Sequence, residues 1–394
     1  MHRTARKSRW VLPLALCLLG TAMAEEPLRV LMVGGGPDQS HNQVAIESNV
    51  RYVARLLRPG TTTRILFTDG KPTSENVQCQ GDDQKIFYRA PQLPREDGPA
   101  RSPNVRSELD AILKDLRGHP MNRVLLYFTG HGSGNRRSSY DNNYFDLWDE
   151  DQFSVRDLAA SLKSFPKQSS IALVMVQCYS GAFGNVLFQD GDPISPLVDQ
   201  HICGFFASVP QRPAAGCTPE INEANYRDFT GYFFAALTGI DRMGRTVTGA
   251  DYNHDGKVGM NEAFAYALVH DDSIDTPVCT SDTFLRRFVT TPDETVFKTS
   301  FAKARTWASP SQLAALDGLS KLLHYSDDDQ LETAYQAFER IDVESDNLAD
   351  VRLIRFVRLA KSIVLAHTLN EAGSKEIKAR YASLLQSEAA NPLD

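Results

Sequence analysis

What most constrains this chain is a pair of short apolar runs, each of which stops at a reactive side chain. Val124-Leu125-Leu126-Tyr127-Phe128-Thr129-Gly130 breaks into His131-Gly132-Ser133-Gly134. Ile171-Ala172-Leu173-Val174-Met175-Val176-Gln177 breaks into Cys178-Tyr179-Ser180-Gly181. Continuous apolar runs closed by turn residues read as strands buried on both faces, as in a parallel sheet covered by helices. Between them, residues 154–164 begin with Ser154 placed as an N-cap and carry Val155, Leu158, Ala159 and Leu162 at helical spacing. The three segments make a βαβ unit, so the two strands are parallel and their carboxyl ends lie on one edge of the sheet. His131 and Cys178 thereby reach the rim along which open α/β sheets bind ligands.

The flanking sequence extends the same pattern. Residues 28–33 read as a first buried strand ending in Gly34-Gly35-Gly36, which supplies turning room beside the rim. Residues 42–57 and 105–116 have helical periodicity, and 63–67 and 202–208 read as further strands. Residues 72–104 are rich in Pro, Gly and Asp and read as one long surface loop. From about residue 309 the strand signals cease, and 313–323, 329–341, 349–369 and 375–385 are all helical. Arg352, Arg355, Arg358 and Lys361 form a basic stripe that reads as a solvated face. The expected fold class is therefore α/β, a mostly parallel sheet flanked by helices over residues 25–305. A separate all-α module follows over 306–394.

A hydrophobic content of 42% and a charged content of 23% describe an ordinary globular chain. Residues 1–24 are set apart by basic Arg3, Arg6, Lys7 and Arg9, an apolar stretch and Ala22-Met23-Ala24, which together read as an export signal. Its removal leaves the rest more acidic than the whole chain's net charge of −7, which argues against nucleic-acid binding. No later stretch is long and apolar enough to span a bilayer. In an exported chain the remaining cysteines suggest disulfides. Cys203 and Cys217 flank a Pro-rich loop and are expected to pair, leaving Cys79 for Cys279 and Cys178 as the thiol.

A second motif runs from Asp251 to Glu262. It fits the twelve-residue EF-hand loop, with oxygen ligands at positions 1, 3 and 5, Gly256 at 6, Val258 at 8 and Glu262 at 12. Asp251, Asn253, Asp255, the Lys257 carbonyl and bidentate Glu262 are the expected Ca²⁺ ligands, followed by a helix over 261–269. No organic cofactor is expected.

Tyr127-Phe128-Thr129-Gly130-His131-Gly132-Ser133, followed by Cys178-Tyr179-Ser180-Gly181, resembles the catalytic His and Cys segments of the legumain family of cysteine peptidases. Legumains stand within the wider caspase-like group, whose His precedes its Cys by about 50 residues. The resemblance implies His131 as acid/base and Cys178 as nucleophile, with the oxyanion between the backbone N–H groups of Gly132 and Cys178. Val209-Pro210-Gln211-Arg212-Pro213 is similar to the legumain segment that walls the substrate channel. Residues 228–237 resemble the next legumain segment, which implies substrate-binding roles for Asp228 and Ser208. Val176 stands where legumains have Glu, and Ser40-His41-Asn42-Gln43 lacks their Arg, so Asp228 opens the P1 position to a basic residue besides Asn or Asp.

The implied function is an exported cysteine endopeptidase acting on protein or peptide substrates through a thioester, with the C-terminal helices as an internal regulator. Two other classes remain: a transamidase or ligase using the same dyad, and a catalytically silent, calcium-stabilised binding protein.

Overall fold

The computed structural model describes residues 27–342 and 344–394, so the export signal read at 1–24 lies outside the described residues. In chain order the first elements are β1 (Leu28–Gly35), α1 (Val44–Leu56), β2 (Thr62–Phe67), β3 (Val77–Gln80), β4 (Ile86–Arg89) and α2 (Ser102–Gly118). Then come β5 (Arg123–Ser133), β6 (Tyr144–Leu147), β7 (Asp151–Ser154), α3 (Val155–Leu162), β8 (Ser170–Met175), β9 (His201–Phe206), α4 (Phe229–Thr238) and α5 (Met260–His270). After β10 (Val278–Cys279) the chain is helical: α6 (Thr280–Phe288), α7 (Asp293–Phe297), α8 (Phe301–Trp307), α9 (Pro310–Leu322), α10 (Gln330–Phe338), α11 (Leu348–Ala372) and α12 (Lys375–Glu388).

The central sheet has the order β2–β1–β5–β8–β9–β10, parallel throughout except for the short antiparallel β10. Its middle strands are apolar along their whole length because helices cover both faces, with α1 and α4 in contact on one and α2 and α3 in contact on the other. The linking helix α3 starts where its sequence says it should. The Ser154 hydroxyl accepts from the Asp157 N–H, and the Asp157 carboxylate accepts from the Ser154 N–H, a reciprocal cap. The α/β class with a helical C-terminal stretch agrees with the sequence pattern. No helix among the described residues is long and apolar enough to cross a membrane.

Several details differ from expectation. The stretch 72–104 is not one loop, because it holds the antiparallel hairpin β3–β4 with Val77 and Cys79 buried. Four-residue strands are too short for period-two alternation to stand out from polar loop sequence. A second hairpin, β6–β7, continues the end of β5. The disulfides are absent: all five cysteines of the described residues are free thiols. Cys203 faces α12 and donates to the Ser387 carbonyl, whereas Cys217 donates to Gly130 O at the opposite, carboxyl end of the sheet. Cys79 sits in the β3 hairpin, and Cys279 bonds to Ser281 Oγ.

The C-terminal helices share the core of the sheet. Leu316, Leu319, Phe356, Ile363 and Leu384 belong to the same apolar cluster as Leu31, Phe128 and Phe205. Each such side chain contributes about 1.5–3 kcal/mol of burial. Polar ties cross the same junction. The buried Glu388 carboxyl, pushed up to about 7 by burial, accepts from Thr280 Oγ and Ser281 N–H, both at 2.7 Å. Asn391 donates to the carbonyls of Leu237 and Val258.

The basic stripe on α11 is not a solvated face. Arg355 is 1% exposed and donates to the carbonyls of Leu268, Asp271, Ser273 and Asp275, while Arg352 pairs with Asp272 and Lys361 with Asp293. Helical spacing put these cations on one side of α11, and packing turned that side inward.

Candidate active site

Strand register brings the two reactive residues level. Phe128 on β5 is paired with Met175 on β8, and His131 and Cys178 each follow three residues later. The pairing continues past the named strands through the Val176 N–H to the Phe128 carbonyl, at 3.0 Å. Gly132 is obligatory at this level, since a Cβ there would collide with the Cys178 carbonyl and Gln177 Cγ. Gly36 serves the same end from β1: its bare backbone lies against the His41 carbonyl, which lets the chain fold back over the rim with Ser40–Gln43.

That fold-back supplies a residue which sequence reading passed over. Gln43 Oε1 lies 2.9 Å from His131 Nε2, and the Gln43 amide nitrogen points to the Ser40 carbonyl at 3.4 Å. Since the oxygen can only accept, Nε2 carries the proton and Nδ1 is left as the base. His41, bonded to Asp38 at 2.8 Å, stands edge-on with its ring centre 5.8 Å from that of His131. The only signal in the sequence was a polar cluster directly after a buried strand.

The nucleophile is held from above by residues 207–217. Ala214 N–H donates to Cys178 Sγ at 3.2 Å, and the thiol returns a bond to the Ala214 carbonyl at 3.6 Å. Tyr179, in the left-handed region at φ 60°, donates its N–H to the Arg212 carbonyl at 2.9 Å. Buried Asn143, a second residue that sequence reading missed, ties the Tyr179 and Pro210 carbonyls together at 3.0 and 2.9 Å. Among the described residues, then, the hydrogen bonds of Cys178 go to this strap and not to His131. Burial pushes the Cys178 thiol above its ordinary 9.0 and holds His131 below its ordinary 6.5. The resting pair is therefore neutral thiol and neutral imidazole at neutral pH.

Ser208 and Asp228 lie under the strap and are enclosed. Ser208 Oγ donates to the Pro213 carbonyl at 2.8 Å, so it shapes the strap. Asp228 caps α4 through Gly231 N–H and pairs with Arg242, both of its oxygens 3.2 Å from the guanidinium. Arg242 also bonds Ser48 and Asn49 and lies over the rings of Tyr52 and Tyr226. The negative charge that argued for a basic P1 is thus neutralised within the protein. Asp228 lies beneath Gly216, where a Cβ would come within 3.6–3.8 Å of it.

The strap is anchored from the C-terminal helices. Ala215 N–H donates to buried Asp275 at 2.6 Å, and Asp275 also accepts from Phe229 N–H at 2.8 Å. The Asp275 carbonyl is one of the four that Arg355 gathers. Arg212 reaches the Ser345 carbonyl at 2.6 Å, in the loop ahead of α11. Burial, and then neighbouring Asp271, push the Asp275 carboxyl well above the usual carboxylate range.

The loop 251–262 has the backbone of a cation loop. Asp251 accepts from Asp255 and Gly256 N–H, Asn253 from Asp255 N–H, and Asp255 from Lys257 N–H, with Gly256 at φ +86°. Glu262 accepts from Tyr252, Asn253 and Gly259 N–H. These oxygens accept from the loop's own N–H groups and keep further lone pairs, although no three His, Cys, Asp or Glu side chains among the described residues are gathered closely enough to hold a metal as the loop stands.

No model of a known protein family matches the chain, and no curated protein matches it. Distant likenesses exist among solved structures. A protein from Geobacter sulfurreducens aligns at 12% identity and TM-score 0.38, over 64% of this chain and 92% of its own. An inactive zymogen C11 protease from Parabacteroides distasonis aligns at 12% identity and TM-score 0.30, covering 75% and 82%. A secreted C11 cysteine protease from Bacteroides thetaiotaomicron, solved with an irreversible peptide inhibitor, aligns at 11% identity and TM-score 0.29, covering 79% and 81%. Scores this low carry no argument about function, which rests on the site itself.

Proposed function

We propose that the chain is an exported cysteine endopeptidase whose nucleophile is Cys178 and whose acid/base is His131. The observation that carries this reading is the register of β5 and β8, with the reactive residues level and the Gly132 backbone against the Cys178 carbonyl. In the reaction, the Cys178 proton passes to His131 Nδ1 as Sγ attacks the scissile carbonyl. The tetrahedral oxyanion forms between the N–H groups of Gly132 and Cys178, and its collapse breaks the C–N bond. The imidazolium gives its proton to the departing amine. Water then attacks the thioester, giving one proton back through His131 to the thiolate. Substrate must first displace the Ala214 contacts on Sγ, so the resting structure is a restrained one.

The paired charges of Asp228 and Arg242 beneath Gly216 favour a P1 carboxamide, which offers a donor to the acid and an acceptor to the guanidinium. The test is cleavage of a positional peptide library by the protein freed of residues 1–24, before and after alkylation of Cys178. Cleavage that alkylation stops, preferentially after Asn or Gln, is the expected result. No cleavage of any peptide overturns the peptidase reading, and preference for Lys or Arg overturns the P1 assignment.

The neutral resting pair has a pH signature. Since His131 loses its proton below 6.5, the acid limb of kcat/KM is expected below that value. Since the thiol titrates above 9.0, iodoacetamide alkylation of the resting protein should keep accelerating as pH passes 9.0. An alkylation rate that levels off between these limits would indicate a thiolate–imidazolium pair instead.

Calcium belongs to the same proposal. Asp251, Asn253, Asp255, Glu262 and the Lys257 carbonyl would hold the ion, which supplies charge to fix the loop at the start of α5 and takes no part in the chemistry. Calcium at 100 times its Kd is expected to stabilise the fold by about 2.7 kcal/mol, read as a rise in Tm over an EDTA-treated sample. An unchanged Tm would leave the loop as a self-bonded turn.

A further inference from the structure

Arg358 stands one turn beyond Arg355 on α11, but its situation is the reverse. Arg355 has four carbonyl acceptors, whereas the Arg358 guanidinium has no hydrogen-bonded partner among the described residues, and its Nε is enclosed. The acid that attracts it, Asp282, is already engaged by Arg286 at 3.1 Å and by the Ser362 hydroxyl. Burial and then the nearby Arg286 pull the Arg358 pKa down to about 9. A half-buried cation with an enclosed Nε and no bonded counter-charge is costly, and such a group is kept where something else satisfies it.

Arg358 helps line a cavity of about 280 Å³ that lies where α6 and α11 meet the loops after β8 and β9. Arg286 and Arg287 line it too, and Asp141 is the acid in the same wall. Asp141 is exposed, so three guanidinium groups face one acid that is also open to water. Gly181, Pro210 and Gln211 complete the side nearest Cys178.

We propose that this cavity is a binding site for a small oxyanion, a phosphate or carboxylate group held among Arg286, Arg287 and Arg358. Planar guanidinium groups match both anions with two parallel N–H bonds, and the shared positive field of three such groups selects negative charge. The site is separate from the nucleophile and physically joined to it. Gly181 N–H donates to the Ser208 carbonyl at 2.7 Å, and Pro210 is tied through Asn143 to Tyr179. An anion seated there would therefore rest on the segment that holds Cys178.

The test is the Tm of the full chain at fixed ionic strength, as sodium chloride is exchanged for inorganic phosphate or for succinate. The reading needs no catalytic activity, so it stands or falls apart from the peptidase assignment. A saturable rise with phosphate alone identifies a phosphoryl ligand, and one with succinate alone or with both identifies a carboxylate-accepting site. Arg358→Met is expected to raise Tm in chloride, by removing the unpaired cation, and to abolish the anion response. Arg287→Ala, an exposed change, should weaken anion affinity by about tenfold with Tm in chloride unchanged. A wild-type Tm that responds no more to either anion than to chloride overturns the proposal, as does an Arg358→Met protein that keeps the full response.

Discussion

Cys178→Ala is expected to lower kcat/KM by on the order of 10⁴-fold or more, because acyl transfer without a nucleophile leaves only binding and the oxyanion donors. The fold should survive almost unchanged. The thiol is neutral at rest and its bonds to Ala214 are two weak sulfur contacts, so Tm should move little. Cys217→Ala is the matched control. That thiol is buried nearby, bonds to the Gly130 carbonyl, and is held in its protonated form by burial. It should retain most activity. A Cys178→Ala protein that still cleaves at a substantial fraction of the wild-type rate would place the nucleophile elsewhere.

Arg355→Met is expected to cost about 3–5 kcal/mol of stability, the range for breaking a buried charged group away from its partners. Four carbonyls would be left unpaired, and Asp271 and Asp275 would lose the cation that faces them. Burial already lifts Asp271 to about 6 with Arg355 in place. Urea unfolding of the purified protein measures the loss directly. The damage should also reach the active site, because the 271–275 loop holds Ala215 through Asp275, and Ala214 holds Cys178. Partial loss of kcat in the protein still folded is therefore expected. A change below about 1 kcal/mol would mean that the loop is positioned without its arginine. By the same reasoning, a chain ending at Thr306 should not fold cooperatively, since it lacks Arg355, Glu388 and the apolar faces of α9, α11 and α12. A truncated chain with native Tm would make these helices a separately folding module, and unchanged kcat/KM in it would remove any regulatory role for them.

Much of the fold was legible because its main signals are local. Runs such as 124–130 and 171–177 can only be satisfied as strands covered on both faces, and Ser154 with Asp157 announces the start of α3 three residues apart. The short hairpins β3–β4 and β6–β7 were not legible, because four-residue strands carry too few alternations to register. The disulfide expectation failed because adjacency in sequence says nothing of which end of a strand a thiol occupies: Cys203 begins near α12, and Cys217 ends beside Gly130.

By itself the sequence determined the α/β pattern and the placing of His131 and Cys178 at strand ends, since both depend on periodicity within a few residues. The need for glycine at 132 came from the structure, where its backbone meets that of Cys178. Only the tertiary structure decided what surrounds His131 and Cys178. Gln43 orients His131 across 88 positions, Ala214 covers Cys178 across 36, and Arg242 cancels Asp228. The same helical stripe of basic residues could have faced water or the core. Packing of α11 turned it inward, giving Arg355 four acceptors and leaving Arg358 with none among the described residues. Periodicity sets which residues share a face, and the energy of burying that face against the rest of the chain decides where it points.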